Sequence, residues 1–389
     1  MENPKEGLCS GYLTLLKRMN TNNRNTAVST RLTSLDALRG FDMFWIIGGG
    51  RIFSELLSNR PNSDFSKALL LQLKHVEWEG FHAWDLIMPL FLFVVGVAMP
   101  FSLNKRLARG DSRRKLYFHI VKRAIILSVL GIAAQGDLLA YDVANLHIYG
   151  YVLGAIAAGY LVSSIIMLNM RILWQMITTA GLLLLFWGLM SWVPVPGHGA
   201  GVLTVDGNLA IYLDKLLLGR WGETGYASWI LSIITFTCTV MLGVFAGHLL
   251  RSQKSKTDKV LWLLAAGIVC LLLGLIWGNW FGIIKRLWTS SFVLFAAGWS
   301  YLLLALFYLV IDVWQLRKWA FGFVVIGTNA IAVYVAVHLF DFKNIGNIFV
   351  DGLSRFLGQW NGFVQELTAF TVIWLILFWM YRKKTFIKI

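Results

Sequence analysis

Apolar residues run along this chain in long blocks separated by short polar stretches, and ten of the blocks approach the roughly 20 residues that a helix needs to cross a bilayer. They fall near 34–52, 82–103, 116–136, 147–168, 172–193, 229–250, 260–278, 290–312, 319–339 and 362–381. The pattern predicts an all-α, polytopic membrane protein with about ten transmembrane helices. Residues 1–30, with the polar run Asn20 to Asn25, lack the short apolar core and cleavage site of a signal peptide and read as a mobile cytoplasmic tail. No repeat of solenoid period is visible, so 31–389 reads as a single transmembrane domain. The longest loop, about 194–228, holds Pro194, Pro196, Gly197, Gly199 and Gly201 and predicts an ordered, turn-rich cap.

Composition strengthens this picture. Of 389 residues, 57% are hydrophobic and 14% charged, with mean hydropathy +0.65, against about 25% charged residues in soluble domains. A water-soluble globular protein is excluded. The net charge of +15 would suggest nucleic acid in a soluble chain, but in a membrane protein Lys and Arg mark the cytoplasmic loops, and no nucleic-acid partner is expected. With the N-terminus inside, 22 of the 35 basic residues fall on the inner side and 9 on the outer. This count, and the even number of spans, predict that both termini are cytoplasmic. Cys9, Cys238 and Cys270 are too few and too scattered for a disulfide framework or a thiolate metal site.

Ionisable groups in hydrocarbon cost roughly 2.5–3.5 kcal/mol each on insertion scales, so each is a candidate functional residue. In SLDALRGFDMF, spacings of three put Asp36, Arg39 and Asp42 along one helix face, where the Arg can pair with a carboxylate. That arrangement serves either to pin the helix end or to shape a cytoplasmic entrance for a cofactor. His75, His82, His147, His198 and His338 all map to the outer side, leaving only His119 and His248 elsewhere. Histidine titrates nearest neutral pH and can act as a base or acyl acceptor. His75 stands apart because KHVEWEGFHAWDLIMPLFLF surrounds it with Glu77, Glu79 and Asp85 near Trp78 and Trp84. One of these carboxylates could fix its tautomer, and the sequence does not say which.

A third cluster, GTNAIAVYVAVHLFD, places Asn329 inside the ninth span with Tyr334 and His338 further out. At 1.5 Å per residue, Asn329 and His338 lie about 13 Å apart along a helix, so they can line one tunnel but not share one small group. Gly48, Gly49 and Gly50 favour close helix packing over backbone approach to a ligand. The basic residues Lys105, Arg106, Arg109, Arg113, Arg114, Lys115, Lys122 and Arg123 are mostly accounted for by inside-positive topology and anionic lipid, with attraction of a phosphate-bearing cofactor as the second reading. No Walker loop, dinucleotide fingerprint, HExxH or metal-ligand spacing occurs, so neither ATP-driven transport nor a metal is expected.

From about Arg31 to Ile389 the chain resembles the heparan-alpha-glucosaminide N-acetyltransferase family of membrane acetyltransferases, in its bacterial branch. The resemblance rests on SLDALRG, the triple glycine, KHVEWEGFHAWDLIMPLFLFVVG, VPVPG at 193–197, YLDKLLLG at 212–219, LWTSSFV at 287–293, GTNAIAVYV at 327–335 and the terminal YRKKTFIKI, in the same order. It implies transfer of acetyl from cytoplasmic acetyl-CoA to the amine of a terminal glucosamine on the far side. His75 matches the family's catalytic His, with Trp78 and Gly80 in register, and Asp85 matches the Asp of D-L-x-x-P. Asn329 and His338 match its G-x-N and span-end His. Two positions depart from the family: Ile46 stands where the lysosomal enzymes have Asn, and Val152, Leu153, Gly154 and Ala155 replace V-L-Q-R.

The resulting expectation is an acetyl-CoA-dependent hexosamine N-acetyltransferase of the bacterial inner membrane, in which His75 is nucleophile or general base and Asp85, or a nearby Glu, orients it. Trp78, Glu79, Asn329, His338 and His147 are candidates for the amino-sugar or glycan acceptor, Asn329 also as donor to the thioester oxygen. Asp36, Arg39, Arg114 and Arg123 are candidates for acetyl-CoA. A homodimer is left open. The rival readings are O-acylation of a surface glycan and secondary transport of an amino sugar, in which the intramembrane charges form a proton relay.

Overall fold

The computed structural model describes residues 32–59, 63–143, 146–221 and 227–387. The expected cytoplasmic tail and Cys9 lie outside these residues. Every regular element among them is helical, apart from an isolated bridge between Val195 and Gly199.

The helices are α1 (Thr33–Phe44), α2 (Gly50–Ser58), α3 (Asp64–Gln72), α4 (Ile87–Ala108), α5 (Arg113–Gln135), α6 (Val152–Asn169), α7 (Ile172–Trp192) and α8 (Leu209–Leu218). They continue as α9 (Ile233–Arg251), α10 (Lys256–Gly278), α11 (Ser290–Tyr308), α12 (Phe321–Gly327), α13 (Ala330–Leu339), α14 (Phe342–Val350), α15 (Ser354–Leu357) and α16 (Asn361–Arg382). Short polar residues start many of them by accepting an otherwise orphaned N–H. Ser112 accepts from Lys115, Asn208 from Ile211, Ser255 from Asp258 and Thr289 from Phe292.

Eight helical stretches among the described residues are long and apolar enough to cross a membrane, and nine if the bent pair α12 and α13 counts as one. The chain is an integral membrane protein. The block 34–52, expected as the first span, lies in a helical run at 33–58 that is not among the eight: it carries Asp36, Arg39, Asp42 and Arg51 and is broken by a wide π-type turn at Trp45–Gly49. The expected ninth span is bent by 74° at Thr328–Asn329. Within the described part of the expected cap after α7, Leu209, Ala210 and Ile211 of α8 pack with Phe186, Met190, Phe281 and Ile284.

At the centre, α4 and α9 cross where Gly96 meets Gly243. A Cβ on Gly96 would strike the Val240 carbonyl, and one on Gly243 the Phe93 carbonyl. Only glycine lets the two backbones come this close, the small-residue packing expected of helices that have no hydrophobic drive to associate in lipid. In the triple glycine, a Cβ on Gly50 would run into the Trp84 ring and one on Gly49 into Phe44. These two glycines therefore serve packing, and they set Trp84 beside the segment that carries His75.

Candidate active site

His75 lies in the irregular segment between α3 and a tight turn at Ala83–Leu86 that leads into α4. Asp85 belongs to that turn and is almost wholly buried. Its Oδ2 accepts the backbone N–H groups of Val76 (3.2 Å) and His82 (3.1 Å), so the loop and the start of α4 are fastened to one carboxylate. Its Oδ1 lies 2.7 Å from His75 Nδ1 and 3.2 Å from Lys285 Nζ. At 2.7 Å two lone pairs would repel, so Nδ1 carries the proton and donates to Asp85. Lys285 Nζ is also 3.1 Å from Nδ1; with that nitrogen protonated, the ammonium donates to the carboxylate instead. His75 Nε2 keeps its lone pair, and the imidazole is half exposed. Among the three nearby carboxylates, Asp85 is therefore the one that sets the tautomer.

Lys285 arrives from a distant part of the chain, on the turn Lys285–Leu287 between α10 and α11. The hydroxyls of LWTSSFV explain why that turn holds its place. Thr289 donates to the Gly282 carbonyl and accepts from the Ile284 N–H, Ser291 donates to Gly282, and Ser290 donates to Leu183 on α7. Gly80, at φ +125°, bends the His75 segment so that its N–H reaches the Ile283 carbonyl at 2.8 Å. Arg286 Nε donates to the Glu77 carbonyl and closes the junction. Burial pushes the Lys285 ammonium below the ordinary lysine value, and Asp85 pulls it back up.

A cavity of about 200 Å³ opens here, lined by His75, Asp85, Lys285, Arg286, Ser228, Trp229 and Trp288 among others. The wall at Trp229 is held by Asp214 of YLDKLLLG, which accepts the N–H groups of Trp229 (2.6 Å) and Ile230 (2.9 Å). Trp84 stands on the other side of His75, edge-on at 6.4 Å between ring centres. The arrangement offers an oriented imidazole whose Nε2 has no partner among the described residues, next to a space the size of a small acyl or sugar group.

The remaining expected site residues do not line this cavity. Trp78 donates its indole N–H to the Leu203 carbonyl at 2.8 Å, and the Glu79 carboxylate packs where a Cβ on Gly282 would sit. Asn329 spends its amide on the C-terminal segment, donating to the Thr385 carbonyl (3.2 Å) and accepting from the Ile387 N–H (3.0 Å). His338 and Tyr334 share Gln135 of α5, at 3.3 Å and 2.8 Å. His147 lies 3.8 Å from Asp137. On other helices, Arg39 pairs with Asp36 at 3.5 Å, Arg114 is exposed on α5, and Arg123 lies over the Tyr160 ring at 4.6 Å. Sequence reasoning missed Lys285, Arg286 and Trp229; the one available signal was a Lys-Arg pair directly before LWTSSFV in a loop placed on the side of His75. Among the described residues no group of three or more His, Cys, Asp or Glu could hold a metal ion.

Fold and site together define a class: a polytopic α-helical membrane protein with a carboxylate-oriented histidine in a loop-walled cavity. Residues 31–150 match the model of a domain family of unknown function, DUF5009. Heparan-alpha-glucosaminide N-acetyltransferase of Homo sapiens is 26% identical over 94% of this chain and 61% of its own length, and that of Mus musculus is 25% identical over 93% and 61%. The chain is thus similar to these acetyltransferases along nearly its whole length, as its motifs implied, and spans less than two thirds of theirs.

Proposed function

We propose that this protein is a transmembrane acetyltransferase of the bacterial inner membrane, carrying acetyl from cytoplasmic acetyl-CoA to the amine of a glucosamine-type sugar on the outer side. The observation that carries the reading is the His75 imidazole, with Nδ1 bound to buried Asp85 and Nε2 free beside the cavity. Similarity to N-acetyltransferases named for a glucosaminide supports the acceptor, and the inside-positive count supports the sidedness.

His75 serves in one of two ways. As nucleophile, Nε2 attacks the thioester carbon, the C–S bond breaks, and CoA leaves as the thiol after taking a proton; the amine then displaces the imidazole and loses its own proton. As base, Nε2 takes the proton from the amine while it attacks the thioester directly. Asp85 holds the ring in the one tautomer that suits both routes, and Lys285 balances the Asp85 charge. Purified protein given acetyl-CoA and glucosamine should release CoA and form N-acetylglucosamine, followed by mass spectrometry. Acetylation of hydroxyl-only sugars in preference to glucosamine would replace the amine acceptor with an O-acyl one. Sugar uptake into sealed vesicles without acetyl-CoA would replace the enzyme with a transporter.

The depressed Lys285 value gives a pH signature. As pH rises, Lys285 loses its proton before the ordinary lysine value of 10.5, and the Asp85 charge is then left unbalanced. Transfer should therefore fall on the alkaline side before that pH. Lys285→Arg, whose guanidinium stays charged throughout, should remove the alkaline fall; a fall at the same pH in both proteins would dissociate it from Lys285. Stability runs the opposite way. Because the unfolded chain keeps this proton longer than the folded one, the Lys285 contribution favours folding increasingly as pH climbs toward 10.5.

A further inference from the structure

Two stretches of the chain hold cations and no acid. Residues 313–340 include Arg317 and Lys318, residues 367–389 include Arg382, Lys383 and Lys384, and neither stretch contains an Asp or Glu. All five of these side chains are exposed. The fold brings the two stretches together, for the Phe321 ring at the start of α12 lies edge-on to Phe378 (6.2 Å between centres) and Tyr381 (5.7 Å) of α16.

Each stretch leads into the lining of one apolar groove, of about 340 Å³, between α1, α12 and α16. Lys318 directly precedes Trp319 on the groove's rim, which is 49% exposed. On the other side Arg382 lies over the Phe378 ring at 5.9 Å, and Phe378 stacks on Trp374 of the groove wall at 5.2 Å. Ile326, 1% exposed, forms the floor, and Phe44 and Phe370 complete the walls. The one hydroxyl in the lining, on Thr371, is spent on the Leu367 carbonyl at 2.7 Å. An apolar cavity of about 150 Å³ holds benzene, so this larger, open-sided groove takes a length of hydrocarbon chain. Tryptophan beside Lys and Arg marks the headgroup level of a bilayer, and basic pockets between membrane helices attract anionic headgroups. A hydrocarbon slot with cations at its mouth matches one molecule that carries both features.

We propose that this groove binds a phospholipid with an anionic headgroup, one acyl chain lying over Ile326 between α12 and α16 and the phosphate held by Arg317, Lys318 and Arg382. The site shares no lining residue with the His75 cavity and does not depend on the acetyl-transfer reading.

The test titrates purified, delipidated full-length protein with phosphatidylglycerol and with phosphatidylcholine of the same acyl chains, counting retained lipid by native mass spectrometry. One phosphatidylglycerol should be retained at a concentration at least about tenfold below that needed for phosphatidylcholine, whose choline cancels the headgroup charge. Arg317→Gln, Lys318→Gln and Arg382→Gln combined in one chain should erase that preference; all three side chains are exposed, so the fold does not rest on them. Gly322→Leu fills the groove and keeps every cation. A Cβ there meets only Trp374 Nε1, at 3.7 Å, so the backbone need not move, and tight retention of phosphatidylglycerol should be lost. Glycerol 3-phosphate, which has the charge without the chain, should not displace the lipid. Equal retention of the two lipids, a preference that survives the triple substitution, retention unchanged in Gly322→Leu, or displacement by glycerol 3-phosphate would each overturn the assignment.

Discussion

His75→Ala is expected to lower acetyl transfer by about a thousandfold or more, while the protein accumulates and elutes from a sizing column as the wild type does. The two halves of that expectation have separate physical grounds. Activity falls because the ring that Asp85 orients, with Nε2 beside the cavity, is lost. Folding survives because the imidazole is half exposed and its loss leaves Asp85 with Lys285 and the N–H groups of Val76 and His82. Asp85→Asn should behave differently: an amide there strands Lys285 without its counterion and frees the tautomer, so transfer and yield fall together. Rates measured on equal amounts of folded protein separate the cases. Transfer by His75→Ala at wild-type rate would remove His75 from the mechanism, and a His75→Ala protein that does not fold would show that the loop needs the ring for structure.

The largest structural effect is expected at the α4–α9 crossing. Gly243→Val must push two backbones apart, since even a Cβ at that position meets the Phe93 carbonyl. Overpacking against side chains costs about 1–3 kcal/mol, and a carbonyl cannot rotate out of the way as a side chain can. Gly243→Val should lose most of its monodisperse yield in detergent or melt well below the wild type. Gly181→Ala is the matched control: it lies within α7 with nothing within 4 Å of the added methyl, and should be neutral or slightly stabilising. Equal melting temperatures for the two variants would show that α4 and α9 separate without cost.

Much of the fold was legible because a long apolar block has few alternatives in a membrane. The spans read at 172–193, 290–312 and 362–381 reappear within a few residues as helices, the second ending in a wide turn at Leu309–Val313. The block at 34–52 returns as helix, but its charges keep it out of the stretches apolar enough to cross a membrane, and no local pattern announced the π-type turn at Trp45–Gly49. At the site, His75 and Asp85 were within reach of reading because they lie ten residues apart on one loop. Lys285 was not, because it lies 210 residues from His75 and its place depends on hydrogen bonds from three hydroxyls. Asn329 shows the converse. Its motif drew attention as site chemistry, yet both atoms of its amide hold the C-terminal segment, a use that no local pattern announces.

That clasp sets a timetable for synthesis. The chain bends by 74° next to Asn329, and the groups that satisfy its amide, the Thr385 carbonyl and the Ile387 N–H, follow it by 56 and 58 residues. Since chains emerge from the N-terminus onward, this clasp can form only after translation has passed Ile387. Residues 385–387 thus complete a junction begun almost sixty residues earlier, and a nascent chain halted before them lacks it however well its other helices are inserted.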